Sequence, residues 1–250
     1  MTLTCFKAYD IRGRLGVDLD ENIAHRIGRA FARQLGARRV VLGRDCRASS
    51  TALAEAVAAE LVAEGATVLD LGLCGTEEVY FATDHLGADG GIEVTASHNP
   101  MDYNGMKMVR AGSAPVGRDS GLAAMQALAE ADDFGPARHG EVIPTDCRAA
   151  YVARVIGFAD LAALRPLHIL VNAGNGTAGP TFDAIADALA AKAAPLRFTR
   201  LHHDPDGSFP NGIPNPLLPE NQPVTARAVV AAGADMGVAW DGDFDRCFLF

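Results

Sequence analysis

The chain has 250 residues, 49% of them hydrophobic and 21% charged, which excludes intrinsic disorder and leaves ample length for two ordinary domains or one large one. Lys and Arg number 22 against 31 Asp and Glu, a net charge of -9, so no general attraction to nucleic acid or to an anionic membrane surface is expected, and an anionic ligand needs a local basic pocket. The sequence has no apolar run near the roughly 18 residues of a spanning helix, no basic-then-apolar leader, and five scattered cysteines (Cys5, Cys46, Cys74, Cys147, Cys247) that form no Cys-x-x-Cys pair, so a cytoplasmic location without disulfides or a zinc ribbon is the expectation.

In chain order, Arg38–Gly43 is a short β-branched run that reads as a strand. The alanine-rich stretch from Ser49 to Gly65 follows, with Leu53, Val57, Leu61 and Val62 at helical spacing, a serine to cap its start and a glycine at its end. A strand over Ala66–Gly72, a helix over Thr76–His85 and a strand over Gly91–Thr95 continue the alternation that marks βαβ crossovers. Asn99-Pro100 and Asn104-Gly105 read as turns, with Met106–Val109 as a returning strand.

From Asp132 to Pro144 periodicity fails in a segment rich in Gly, Pro and charge, which predicts a domain boundary. The alternation then resumes with a helix from about Ala149, a strand over Leu167–Val171, a glycine-rich turn over Asn172–Thr177 and an alanine-rich helix to about Ala194. The five prolines between His202 and Pro219 predict a long irregular loop, with the His202-His203 pair read as loop polarity. A helix near Val224–Ala232 and a strand over Met236–Trp240 come next. Residues 247–250 read as a strand cut in mid-run, so the chain is expected to be truncated. The predicted class is α/β: two consecutive domains, 1–145 and 146–250, each a mixed, mostly parallel sheet flanked by helices.

Two constellations suggest chemistry. Thr95-Ala96-Ser97-His98-Asn99-Pro100 puts a nucleophilic hydroxyl on an exposed loop at the end of a strand, and the returning strand can carry Lys107 back beside it, to neutralise a phosphate or shuttle a proton. Serine is a poor nucleophile alone and needs a base, a metal or a phosphate next to it. Asp241, Asp243 and Asp245 stand at alternate positions, which in an extended segment share one face and converge on one hard cation. A solvated acidic loop is the other reading of that run. An EF-hand is excluded, because Arg246 occupies the sixth position where glycine is needed. Three carboxylates leave metal positions open for phosphate oxygen or water, which suits Mg²⁺, and Arg246 can clamp the same phosphate. Arg12 and Arg44 sit in further basic segments that read as turns or loops, with ordinary surface positions as the alternative.

Residues 7–13 (KAYDIRG), 95–107 (TASHNPMDYNGMK), 204–212 (DPDGSFPNG) and 241–246 (DGDFDR) together resemble the motif set of the α-D-phosphohexomutases, in the same order and across the whole chain. Within that family Gly75–Phe81 is most similar to bacterial phosphomannomutases that make precursors for surface polysaccharide. The resemblance implies that Ser97 is phosphorylated, that its phosphate binds one Mg²⁺ together with Asp241, Asp243 and Asp245, and that Arg12, His98, Lys107 and Arg246 surround the transferring phosphoryl group. It also implies interconversion of mannose 6-phosphate and mannose 1-phosphate through a hexose 1,6-bisphosphate. Phosphoglucomutase or dual-specificity activity and a non-catalytic phosphoprotein or metal-binding role are the alternatives. Family members have four domains, and the sugar-reading third and phosphate-gripping fourth are expected to be absent here.

Overall fold

The computed structural model describes residues 2–250. The chain forms two compact units, one ending at Asp146 and the other running from Cys147 to Phe250.

The elements of the first unit are β1 (Ile11–Arg14), α1 (Glu21–Leu35), β2 (Arg39–Arg44), α2 (Ser50–Ala63), β3 (Thr67–Leu73), α3 (Thr76–His85), β4 (Gly90–Val94), β5 (Tyr103–Arg110), β6 (Ala114–Pro115), α4 (Leu122–Ala131) and β7 (Glu141–Pro144). The sheet runs β1-β5-β4-β2-β3-β7, with β6 beside β5. The β4-β2, β2-β3 and β3-β7 pairs are parallel, whereas β1-β5, β5-β4 and β5-β6 are antiparallel. All five residues of β4 are buried, as expected for a strand covered on both faces.

Helix α1 starts where Asp20 accepts a hydrogen bond from the Ile23 amide at 2.8 Å. Its buried Ile23, Ile27 and Phe31 recur at four-residue spacing and join Leu53, Val57, Leu61, Ile92 and Met106 in one core. Each such side chain contributes roughly 1.5–3 kcal/mol through its burial. That core fixes β4, and with it the segment that leaves the strand's carboxyl end.

Three local expectations are corrected here. Asn104-Gly105 is not a turn but lies inside β5, and Arg12 lies on strand β1 rather than in a turn. Tertiary contacts outweigh the turn preference: the Asn104 amide donates to the Ser49 and Ser50 hydroxyls at 2.8 and 2.9 Å, and Gly105, opposite Arg12, sits where a Cβ would collide with the Ile11 carbonyl. The end of the Gly- and Pro-rich segment is also not linker. Glu141–Pro144 pairs in parallel with β3, and its apolar Val142 and Ile143 extend the sheet.

The second unit comprises α5 (Arg148–Ile156), β8 (Leu167–Asn172), α6 (Ala178–Ala191), β9 (Leu196–Leu201), α7 (Gln222–Ala232), β10 (Met236–Trp240) and β11 (Cys247–Leu249). Its sheet runs β11-β10-β8-β9, parallel except for the β10-β11 hairpin. Phe182 of α6 packs edge-on against Phe198 at 5.0 Å and beside Trp240 at 5.8 Å, anchoring the helix on the sheet. Residues 202–221 form the irregular loop, tied to the β8-α6 turn by Asn175, which donates to the Asp204 carbonyl at 2.9 Å and accepts from Asn211 at 2.9 Å. Both units are α/β sheets flanked by helices. No helix among the described residues is long and apolar enough to cross a membrane.

Candidate active site

In the first unit the chain leaves the buried strand β4 and enters Thr95-Ala96-Ser97. Ser97 takes a left-handed backbone conformation, φ 51°, which costs a non-glycine residue about 1 kcal/mol or more and persists only where surrounding contacts impose it. Those contacts are present: the Ser97 amide donates to Thr95 Oγ1 at 2.8 Å, and the Thr95 amide donates to the Gly105 carbonyl at 3.0 Å. Ser97 is not exposed as expected but buried, 1% exposed, because the loop is packed against the first unit, and its hydroxyl lies 3.1 Å from His98 Nδ1.

Arg12 joins the same loop from strand β1, donating to the Thr95 carbonyl at 3.1 Å while pairing with Asp10 at 2.8 Å. Lys107 sits on β5 directly across from the buried Glu93 of β4, a cross-strand position on the sheet face that they share. Arg44, the other basic residue at the end of β2, pairs with Asp70 at 3.5 Å.

In the second unit β10 delivers Asp241, Asp243 and Asp245 to a turn between β10 and β11. One carboxylate oxygen from each lies within 4.8 Å of the others, and Asp241 and Asp243 are fully buried. The expectation of an extended run is corrected: the Phe244 amide bonds the Asp241 carbonyl at 3.2 Å and Phe244 has φ 47°. The aspartates converge because the chain folds back as a hairpin, with Trp240 paired to Cys247, not because alternate residues share one face of a strand. Phe244, between Asp243 and Asp245, is packed against Ala173, Ala178, Tyr151 and Trp240.

Arg246 closes the turn. Its amide donates to Asp241 Oδ1 at 3.2 Å and its guanidinium stands 3.9 Å from the same carboxylate. Gly176 touches the turn from α6's approach, where a Cβ would meet the Gly242 carbonyl at 2.6 Å. The carboxylates repel one another and have lost hydration, so a cation that prefers hard oxygen donors is the fitting counter-charge, and three oxygens suit Mg²⁺ with positions left for phosphate or water. The donor set therefore fits the metal that the sequence suggests.

Compared with known proteins, residues 4–134 match the model of phosphoglucomutase/phosphomannomutase alpha/beta/alpha domain I, and residues 149–250 match alpha/beta/alpha domain II. The chain belongs to the phosphoglucomutase/phosphomannomutase family. It is 58% identical to a phosphomannomutase of Salmonella typhimurium, over 99% of this chain and 55% of that protein. It is 55% identical to a protein of Xanthomonas campestris pv. campestris described as phosphohexose mutases, over 100% of this chain and 55% of that protein. A crystal structure of a phosphoglucomutase/phosphomannomutase family protein from Burkholderia thailandensis superposes with a TM-score of 0.87 at 38% identity, covering 100% of this chain and 55% of that one. The chain thus spans about half the length of these relatives of the family.

Two residues beside the serine loop of this family member are missing from the sequence reading. Asp45 and Arg47 follow β2 and are both buried, 4% and 3% exposed. Burial pushes the Asp45 carboxyl above its usual range, opposed by hydrogen bonding to Ser50 and the charge of Arg47. The signal in the sequence is their place at the carboxyl end of a parallel strand, where ligands of open α/β sheets gather.

Proposed function

We propose that this chain carries the phosphoryl-transfer chemistry of a phosphomannomutase, with Ser97 as the residue that accepts and returns the phosphoryl group. The observation that carries the reading is the Ser97 hydroxyl, held in a left-handed turn at the end of a buried strand and 3.1 Å from His98 Nδ1. The substrate class, mannose 6-phosphate and mannose 1-phosphate, follows the phosphomannomutase from Salmonella typhimurium. A dual-specificity hexose mutase is the second reading, favoured by the relative from Xanthomonas campestris pv. campestris described as phosphohexose mutases.

In the proposed cycle the phosphoserine gives its phosphoryl group to the free hydroxyl of the hexose monophosphate: the Ser97 Oγ–P bond breaks as the sugar O–P bond forms. The resulting hexose 1,6-bisphosphate returns its other phosphoryl group to Ser97. Arg12 and Arg246 are assigned to charge neutralisation of the phosphoryl oxygens, His98 to orienting the serine oxygen, and Lys107 to moving the hydroxyl proton. Phosphoryl transfer depends on position and charge more than on a strong base, which these groups supply. Mg²⁺, held by Asp241, Asp243, Asp245 and a phosphoserine oxygen, would supply further neutralisation of the developing charge. The reading places the protein in the cytoplasm.

The test is to incubate the chain with glucose 1,6-bisphosphate and Mg²⁺ and to follow intact mass and peptide mapping. One phosphoryl group on Ser97, absent from Ser97→Ala, is the expected result. A chain that stays unmodified, or that takes the group elsewhere, refutes the reading.

A further inference from the structure

The loop that bears Ser97 is clasped from beneath by a buried acid-base pair. The Arg47 guanidinium donates to the carbonyls of Ser97 at 3.0 Å, Asn99 at 2.5 Å and Pro100 at 2.9 Å, and reaches that of Tyr103 at 3.4 Å. Asp45 serves the other polarity: its Oδ2 accepts from the Ala96 amide at 3.3 Å, and its Oδ1 accepts from the Arg47 amide at 3.0 Å and the Ser50 hydroxyl at 2.5 Å. The two side chains stand 3.6 Å apart as an ion pair. Ser50 in turn accepts from the Asn104 amide at 2.9 Å, which links the clasp to β5.

A single planar fork that bonds four carbonyls fixes peptide planes in a way that one local turn cannot, because guanidinium presents several donors in rigid geometry. The Ser97 carbonyl is turned toward Arg47, and in a trans peptide the N–H of the next residue points the opposite way. Arg47 therefore sets the orientation of the peptide that joins Ser97 to His98, while Thr95 Oγ1 holds the peptide before it through the Ser97 amide, and the two together bracket the left-handed Ser97, φ 51°. Its bond to the serine is to the backbone oxygen.

We propose that Arg47, seated by Asp45, is a positioning residue for phosphoryl transfer at Ser97: it holds the serine loop in the strained conformation from which the hydroxyl reacts, without contacting the phosphoryl group. The inference rests on the assignment of Ser97 as the phosphoryl carrier. Lysine in its place keeps the charge but loses the fork, so charge alone does not restore the function.

The experiment compares wild type, Arg47→Ala, Arg47→Lys and Asp45→Asn in the full chain, reading the rate of Ser97 phosphorylation by glucose 1,6-bisphosphate and the ³¹P resonance of the phosphoserine. Misplacement on the scale of an ångström costs roughly 10²-fold in rate, so a loss of about that size is expected in both Arg47 variants, with a displaced or broadened resonance. Free guanidinium is expected to restore part of the rate in Arg47→Ala, and Mg²⁺ binding by the unphosphorylated chain, which rests on the three aspartates, is expected to be unchanged in all. Folded variants that match wild type in rate and resonance overturn the inference while leaving Ser97 as the carrier. A wild type that takes no phosphoryl group on Ser97 overturns the functional reading instead. If the variants do not fold, hydrogen exchange in wild type decides: the Ala96 and Ser97 amides are expected among the slowly exchanging set, and exchange at the rate of an open loop overturns the clasp.

Discussion

Replacing Asp243 with Asn removes one of three crowded charges while nearly preserving the side chain's outline, and this separates stability from metal binding. At 4.8 Å, the outer limit of the spacing, two unit charges repel by about 3.5 kcal/mol at an effective dielectric of 20 and by about 0.9 kcal/mol in a water-like one. Asp243 belongs to two of the three pairs, and Arg246 offsets part of the repulsion through Asp241. A net gain of about 1–3 kcal/mol is therefore expected in metal-free protein, a rise of roughly 2–12 °C in Tm for a chain of this size. Mg²⁺ at a hundred times its Kd stabilises the wild type by about 2.7 kcal/mol, and Asp243→Asn is expected to lose most of that increment. Thermal unfolding in chelator and across a Mg²⁺ titration reads both quantities. A lower Tm in chelator, or a magnesium shift as large as in wild type, refutes the reasoning.

Gly105→Ala drives a methyl into the Ile11 carbonyl and is expected to destabilise the first unit by about 1–3 kcal/mol, seen as a lower denaturant midpoint and faster exchange of the β1-β5 amides. Burial raises the Cys5 thiol to about 11, so the folded chain keeps it protonated: stability is unaffected below the ordinary value of 9.0 and falls as pH rises from there through about 11. Iodoacetamide at pH 8 should accordingly label the exposed Cys247 and spare Cys5; equal labelling of the folded protein contradicts this. Phe244→Ala empties an apolar site and is expected to cost about 3 kcal/mol, with Mg²⁺ affinity falling alongside; calorimetric titration that finds the affinity intact speaks against Phe244 as the anchor of the turn.

Much of the fold was legible because its signals are local. The spacing of Leu53, Val57 and Leu61 marks α2, and the short β-branched runs mark β2, β3 and β8. Helix α1 is absent from the sequence reading although Ile23, Ile27 and Phe31 are in step, since arginines and alanines dilute the stripe; strand β9 is likewise absent, its alternation over Leu196–Thr199 broken where Arg200 takes the apolar phase. Asn104-Gly105 misleads because the two residues are selected by partners far away in sequence, Ser49, Ser50 and Ile11. The motif residues of the candidate site could be named from order alone. The Arg47 clasp could not, since its targets are backbone carbonyls, and a carbonyl leaves no mark on the residue type that carries it.

Phe244 has a consequence for how this chain can vary. An aromatic ring wedged among Ala173, Ala178, Tyr151 and Trp240 lies between two acidic neighbours on the same short turn. Steric fit and the clustering of acidic groups are thus written into consecutive letters of one hairpin. A change of ring size at 244 moves Asp243 and Asp245 with it, so the apolar interior of the second unit and the spacing of its acidic cluster are obliged to drift together or not at all.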